Sequence, residues 1–209
     1  MNIMNVFKDV VKEATHRNIT AVPWLNAGLK YLSYILLACT SLLFTGCFGS
    51  PKVNRYSDMK TVTYVDIDRF MGDWYVIANI PTFIEKGATN AIESYKLGHS
   101  GTIETTFTFF KNSPDGDKKT YRPTGFIKNK ETNAEWRMQF LWPFKMPFLI
   151  IDLDEEYTYT VIGIPSRKYV WIMARDHKMD ENLYSSILSQ LSDIGYDVSL
   201  IQKIPQDWD

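Results

Sequence analysis

The chain has 209 residues, 45% of them hydrophobic, and a net charge of −1, which is apolar material enough for one or two globular domains. So even a charge balance gives no electrostatic reason to expect nucleic acid or an acidic surface as a partner. Both cysteines, Cys39 and Cys47, lie in the first quarter, so the sequence after Cys47 holds no disulfide and no thiolate metal site. Twelve Phe, twelve Tyr and six Trp favour β-structure and apolar cavities.

After Lys30 the chain runs uncharged and largely apolar from Tyr31 to Gly46. That is the form of a signal-peptide h-region, short of the roughly twenty apolar residues that a membrane span requires. The ending Leu43-Phe44-Thr45-Gly46-Cys47 resembles a bacterial lipobox, whose Cys is lipidated and becomes the first mature residue; Phe44 stands where that pattern usually has Leu. Leu36-Leu37-Ala38-Cys39 is a competing box, but it follows closely on Lys30 and the apolar run continues past it, so Cys47 is favoured over Cys39. An ordinary unmodified cysteine is the alternative. Phe48 in place of Asp after the Cys directs sorting, by the same resemblance, to the outer membrane. Residues 1–29 form an unusually long polar lead; either the lead is real or translation starts near Leu29, the second being favoured. The expected organisation is a signal peptide with an atypical extension over 1–46, a lipidated Cys and linker over 47–60, and one domain over 61–209.

Beyond the linker, strand-like runs are predicted at 73–80, 91–97, 102–110, 119–128, 134–142, 148–153, 157–163 and 169–175. Turn chemistry separates them at Gly98-His99-Ser100-Gly101, Asn112-Ser113-Pro114-Asp115-Gly116-Asp117, Asn129-Lys130-Glu131-Thr132-Asn133 and Pro165-Ser166-Arg167. Eight runs with short turns predict an all-β antiparallel meander, closed into an eight-stranded up-and-down barrel that removes its edges. A sandwich is the architectural alternative. After Arg175 the period changes: Asp180 caps a predicted helix carrying Leu183, Ile187, Leu191 and Ile194, and Gly195 ends it. This one C-terminal α-helix is expected to pack outside the barrel.

Alternation assigns the faces. Trp136, Met138, Phe140 and Trp142 share one side of the fifth run, and Ile103, Thr105, Phe107 and Phe109 one side of the third. Both sides are expected to point inward, as packed core or as the wall of a pocket. Gly72-Asp73-Trp74 opens the first strand and Trp171-Ile172-Met173-Ala174-Arg175 closes the last. Together they resemble the lipocalin signature, in which the Trp plugs the closed end of the barrel and the Arg covers it; a guanidinium on an indole contributes on the order of 1 kcal/mol. Gly72, Trp74 and Arg175 are accordingly read as structural.

The likeness is to the bacterial lipocalins, outer-membrane lipoproteins related to apolipoprotein D, and spans about residues 60–203. It also includes Asp154-Glu155-Glu156-Tyr157 and Gly195-Tyr196-Asp197-Val198. The resemblance implies a binder of fatty acids such as palmitate, or of lysophospholipids, with a role in envelope maintenance and a membrane attachment through the N-terminal lipid. It implies no cofactor and no catalysis. Phe107, Phe109, Trp136, Met138 and Phe140 are the expected liners and Phe83 an expected lid, with Arg122 and Lys145 as candidates to meet a head group. Monomer and homodimer both stay open. An enzyme acting on a lipid within such a barrel is the rival, as is a ligand-free structural lipoprotein. Gly98-His99-Ser100-Gly101 lacks the spacing of a nucleophile elbow, the acidic run Asp152 to Glu156 reads as a solvated turn, and His99 and His177 stand outside any metal-spaced cluster.

Overall fold

The computed structural model describes residues 59–208; the expected signal segment, Cys39, Cys47 and the linker as far as Asp58 lie outside the described residues. Ten strands form a single antiparallel sheet: β1 (Gly72–Asn79), β2 (Ala88–Leu97), β3 (Thr102–Lys111), β4 (Lys118–Tyr121), β5 (Thr124–Ile127), β6 (Glu135–Leu141), β7 (Phe144–Leu153), β8 (Tyr159–Gly163), β9 (Val170–Ala174) and β10 (Gln202–Lys203). Tyr75 of β1 pairs with Ile92 of β2 on one side and Ala174 of β9 on the other, so the sheet closes on itself. That closure decides for a barrel over a sandwich. β4 and β5 both pair with β3 and are one stave interrupted at Arg122-Pro123, where proline offers no N–H to the ladder. Counted so, the barrel has eight staves.

Three boundaries depart from the sequence reading. The fourth run divides at that proline. The sixth begins at Phe144 and not at 148, because Lys145 and Pro147 hide a strand whose register with β6 is nonetheless regular from Met138↔Met146 to Glu135↔Leu149. The second begins at Ala88, ahead of a register shift between Thr89 and Ile92 at which Asn90 takes φ 49°. Two elements carry no alternation long enough to read: β10, and the one-turn helix α1 (Ile67–Phe70), whose cap Asp66 accepts from the Asp68 and Arg69 amides at 3.1 and 3.3 Å. β10 pairs with Ala78 and Asn79, beyond the Gly72–Tyr75 stretch that β1 shares with β2.

Helix α2 (Glu181–Asp193) starts at Asp180, which accepts from the Asn182 and Leu183 amides at 2.9 and 3.0 Å. Gly195, at φ 90°, ends it. Its buried side is Tyr184, Ile187 and Leu191, packed with Ala78, Val161, Val170 and Ile172 on the outside of the wall. Ile194, expected on that side, is the C-cap and largely exposed, because helical phase is lost there; Tyr184 takes its place on the buried side.

Candidate functional site

One end of the barrel is shut by the chain that leads into β1. Phe70 of α1 is fully buried and meets Trp74, Tyr95 and Trp136 with ring centroids 5.1–5.5 Å apart. The Trp74 indole N–H donates to the Phe70 carbonyl at 2.9 Å. Over the outer face of that ring lies the Arg175 guanidinium, 3.8 Å from the centroid. The same guanidinium donates to the carbonyls of Arg69, Phe70, Met71 and Asp73 at 2.7–3.1 Å, tying the lead-in chain to the last strand. Gly72 fits this corner for two reasons: its φ of 97° disfavours a side chain, and a Cβ there would stand 3.3 Å from Arg175 Nη1.

Inside, the register places residues in rows. Trp74, Glu93, Phe107 and Tyr121 are successive cross-strand partners on β1, β2, β3 and β4, and so share the inward face. One step towards the closed end, Gly72, Tyr95 and Thr105 form the next row. One step towards the other end, Phe109 stacks on Tyr121 at 6.2 Å and lies 5.2 Å from Phe107. Met138 packs in the same interior, where Gly125 leaves room for it beside Ile103. Phe107, Phe109 and Met138 are all buried, covered by one another and by their neighbours.

The opposite end carries the loops β1–β2, β3–β4, β6–β7 and β8–β9, and it is dressed differently. Phe83, Phe140, Trp142 and Phe144 are all exposed there, Trp142 to 81%. Behind them, the Trp171 indole N–H donates to Glu85 Oε1 at 2.6 Å, and the Thr82 amide donates to Glu85 Oε2 at 2.8 Å, so the β1–β2 loop is latched onto β9.

The model of the lipocalin-like domain matches residues 65–206, well over half of the chain. The chain belongs to the lipocalin family. It is 29% identical over 159 residues to temperature-induced lipocalin-1 of Arabidopsis thaliana, covering 71% of this chain and 83% of that one. With the outer membrane lipoprotein Blc of Vibrio cholerae it shares 22% over 173 residues, 82% of this chain and 98% of the relative. Mouse apolipoprotein D is 28% identical over 142 residues, covering 64% and 72%. Among solved structures, insecticyanin from the tobacco hornworm Manduca sexta superposes with a TM-score of 0.57 at 20% identity, over 73% of this chain and 85% of that one, a likeness of fold.

In this lipocalin the expected site residues separate into three places. Phe107, Phe109 and Met138 share the interior wall. Trp136 lies deeper, in the closed-end cluster, stacked on Phe148 at 5.4 Å with its N–H donated to the Asn133 carbonyl at 2.7 Å. Phe140, expected as a liner, is exposed at the mouth, beside a register shift between Met138 and Leu141. Phe83 is exposed on its loop. Of the two head-group candidates, Lys145 lies over the Phe126 ring at 3.3 Å, and Arg122 is exposed at the break between β4 and β5. A groove of about 730 Å³ lies outside the barrel between α2 and the wall, lined by Ile151, Val161, Ile187 and Leu191 among others.

Gly98 to Gly101 is the β2–β3 turn at the closed end. Asp154 caps the β7–β8 turn, accepting from the Thr158 and Tyr159 amides at 2.7 and 2.9 Å. No group of His, Cys, Asp and Glu among the described residues is arranged to hold a metal. What the sequence reading missed is Glu93: strict alternation from Tyr95 puts it inside, yet a carboxylate in a predicted wall reads as solvent-facing.

Proposed function

We propose that this lipocalin holds a single-chain amphiphile, a fatty acid or lysophospholipid, in its barrel and serves the outer membrane to which it is tethered through a lipidated Cys47. On this reading residues 1–46 are removed on export, 47–60 form the tether and 61–209 the binding domain. The observation that carries it is an interior wall of Phe107, Phe109, Tyr121 and Met138 under a mouth fringed by exposed Phe83, Trp142 and Phe144. Apolar rings left in water at a barrel rim suit contact with a lipid surface, from which an acyl chain can pass inward. Trp136 and Phe148 form the floor. About ten buried methylenes at about 0.8 kcal/mol each would offer ~8 kcal/mol before ordering costs. The outer-membrane setting is supported by the relatives named outer membrane lipoprotein.

Native mass spectrometry of the full chain in non-ionic amphipol is expected to show one amphiphile per protein, released on denaturation and replaced by added lysophospholipid. A second reading, a packed barrel that serves envelope structure, draws on the burial of Phe107 and Phe109 at 2% and 1% exposure. A bare mass that takes up no lysophospholipid would select it. Separately, Cys47→Ser is expected to move the protein from the membrane fraction to the soluble one; retention in the membrane would refute the lipid tether.

A further inference from the structure

An acyl-chain container has no structural use for a carboxylate on its inner wall, yet this barrel carries one at mid-height. Glu93 lies between Trp74 and Phe107 in the ladder, with Tyr121 beyond, and is 8% exposed. Its hydrogen-bond partner is the Tyr95 hydroxyl, which donates to Oε2. Among the described residues no Lys or Arg pairs with it. A further charge that acts on it is of the same sign, Glu85 on the latched loop, whose carboxylate is likewise buried and held by Trp171 and Thr82. Beside this pair, Thr105 shares the inward face directly across from Tyr95, and its hydroxyl is buried with no hydrogen-bond partner. Asn79 on β1 also keeps a buried amide N–H without an acceptor.

Burying two carboxylates without a cation costs stability, so the arrangement points to something it gains on binding. With Glu93 ionised, the charge buried at this height is negative; Lys119, in the row of Phe109, is paired with Asp117 nearer the mouth. The buried charge repels a carboxylate or phosphate head and draws a positive one, and the aromatic rings of Trp74 and Phe107 on either side of Glu93 suit a cation.

We propose that the barrel is a receptor for cationic amphiphiles, taking a long-chain ammonium head first, with its charged end on Glu93 and its alkyl chain running along Phe107, Phe109 and Met138 to the mouth. Anionic amphiphiles then enter only tail first, with the head at the rim. The Thr105 hydroxyl is placed to accept a further hydrogen bond from the inward ammonium. This rests on the reading of the barrel as a lipid-binding cavity.

The test uses the full chain in non-ionic amphipol, titrated at pH 8 with dodecylammonium, dodecanol and dodecanoate, each below its aggregation limit, with tryptophan fluorescence as the signal. Wild type is expected to bind dodecylammonium about tenfold more tightly than dodecanol, the scale of a charge-assisted hydrogen bond in a dry site. Glu93→Gln, which keeps the shape and removes a buried charge, is expected to abolish that preference, bringing dodecylammonium to within about twofold of dodecanol on the same variant. On wild type alone, lowering the pH to 5.5 should erase the preference as Glu93 takes up a proton. The groups on this face that share the field are Tyr95, Glu85 and, one row nearer the mouth, Lys119 paired with Asp117, with Arg175 acting from behind Trp74. A preference that survives both the substitution and the lower pH would overturn the proposal. Dodecanol binding without any preference for the ammonium would overturn it and leave the lipid-binding reading standing. Failure of all three probes would sink both.

Discussion

Between pH 5 and pH 8 the protein is expected to lose roughly 2–3 kcal/mol of folding free energy through Glu93 alone, and a Glu93→Gln variant to be spared that loss. Burial in the apolar interior pushes the Glu93 carboxyl up from 4.5 to about 7; the Tyr95 hydroxyl opposes the shift and the Glu85 charge adds to it. In the unfolded chain Glu93 gives up its proton near 4.5; in the folded barrel it keeps the proton until about 7. The folded state therefore binds more protons across that window. Stability is fully present below pH 4.5 and drains away as pH rises through 7. For a domain of this size the loss corresponds to a fall in Tm of roughly 5–10 °C. Thermal melts of the two proteins at pH 5 and pH 8 isolate the effect as the difference between their slopes. Parallel slopes would mean that Glu93 is solvated or paired in solution, and the interior charge would then no longer support an inward cation.

Arg175→Met is expected to destabilise the fold by about 3 kcal/mol while leaving amphiphile affinity unchanged within about twofold. The guanidinium serves four backbone carbonyls and one indole face. Each hydrogen bond lost contributes about 0.5–1.5 kcal/mol, and the cation–π contact about 0.5–1 kcal/mol at a half-exposed site, where water replaces part of both. Arg175→Lys should recover little, because one ammonium cannot span carbonyls spread over Arg69 to Asp73. Denaturant midpoints measure the stability and the dodecanol titration measures the site. A loss under about 1 kcal/mol would show that the plug of Phe70, Trp74 and Trp136 closes the barrel without its cover. A parallel loss of affinity would place Arg175 in the binding site instead.

These two residues mark what could be read from the chain and what could not. Arg175 and Trp74 were legible because each stands in a short pattern tied to a strand end. Phe107, Phe109 and Met138 were legible as a face, since alternation over β3 and β6 needs only a period of two. Phe140 follows the same period in the sequence yet is exposed, since it lies at the mouth end of β6, next to a register shift with β7 that leaves no mark on β6 itself. Phe144 to Pro147 hid for the opposite reason: a proline and a lysine are tolerated where the neighbouring strand supplies the register.

By itself the sequence determined the meander, the closing helix and the apolar side of most strands, because periodicity and turn chemistry are local properties of a chain. Only the tertiary structure decided that the sheet closes, that Tyr184 and not Ile194 faces the wall, and that Glu93 lies dry between Trp74 and Phe107. Each of these depends on which strands become neighbours, and burial of a charge is a property of those neighbours, not of the residue that carries it.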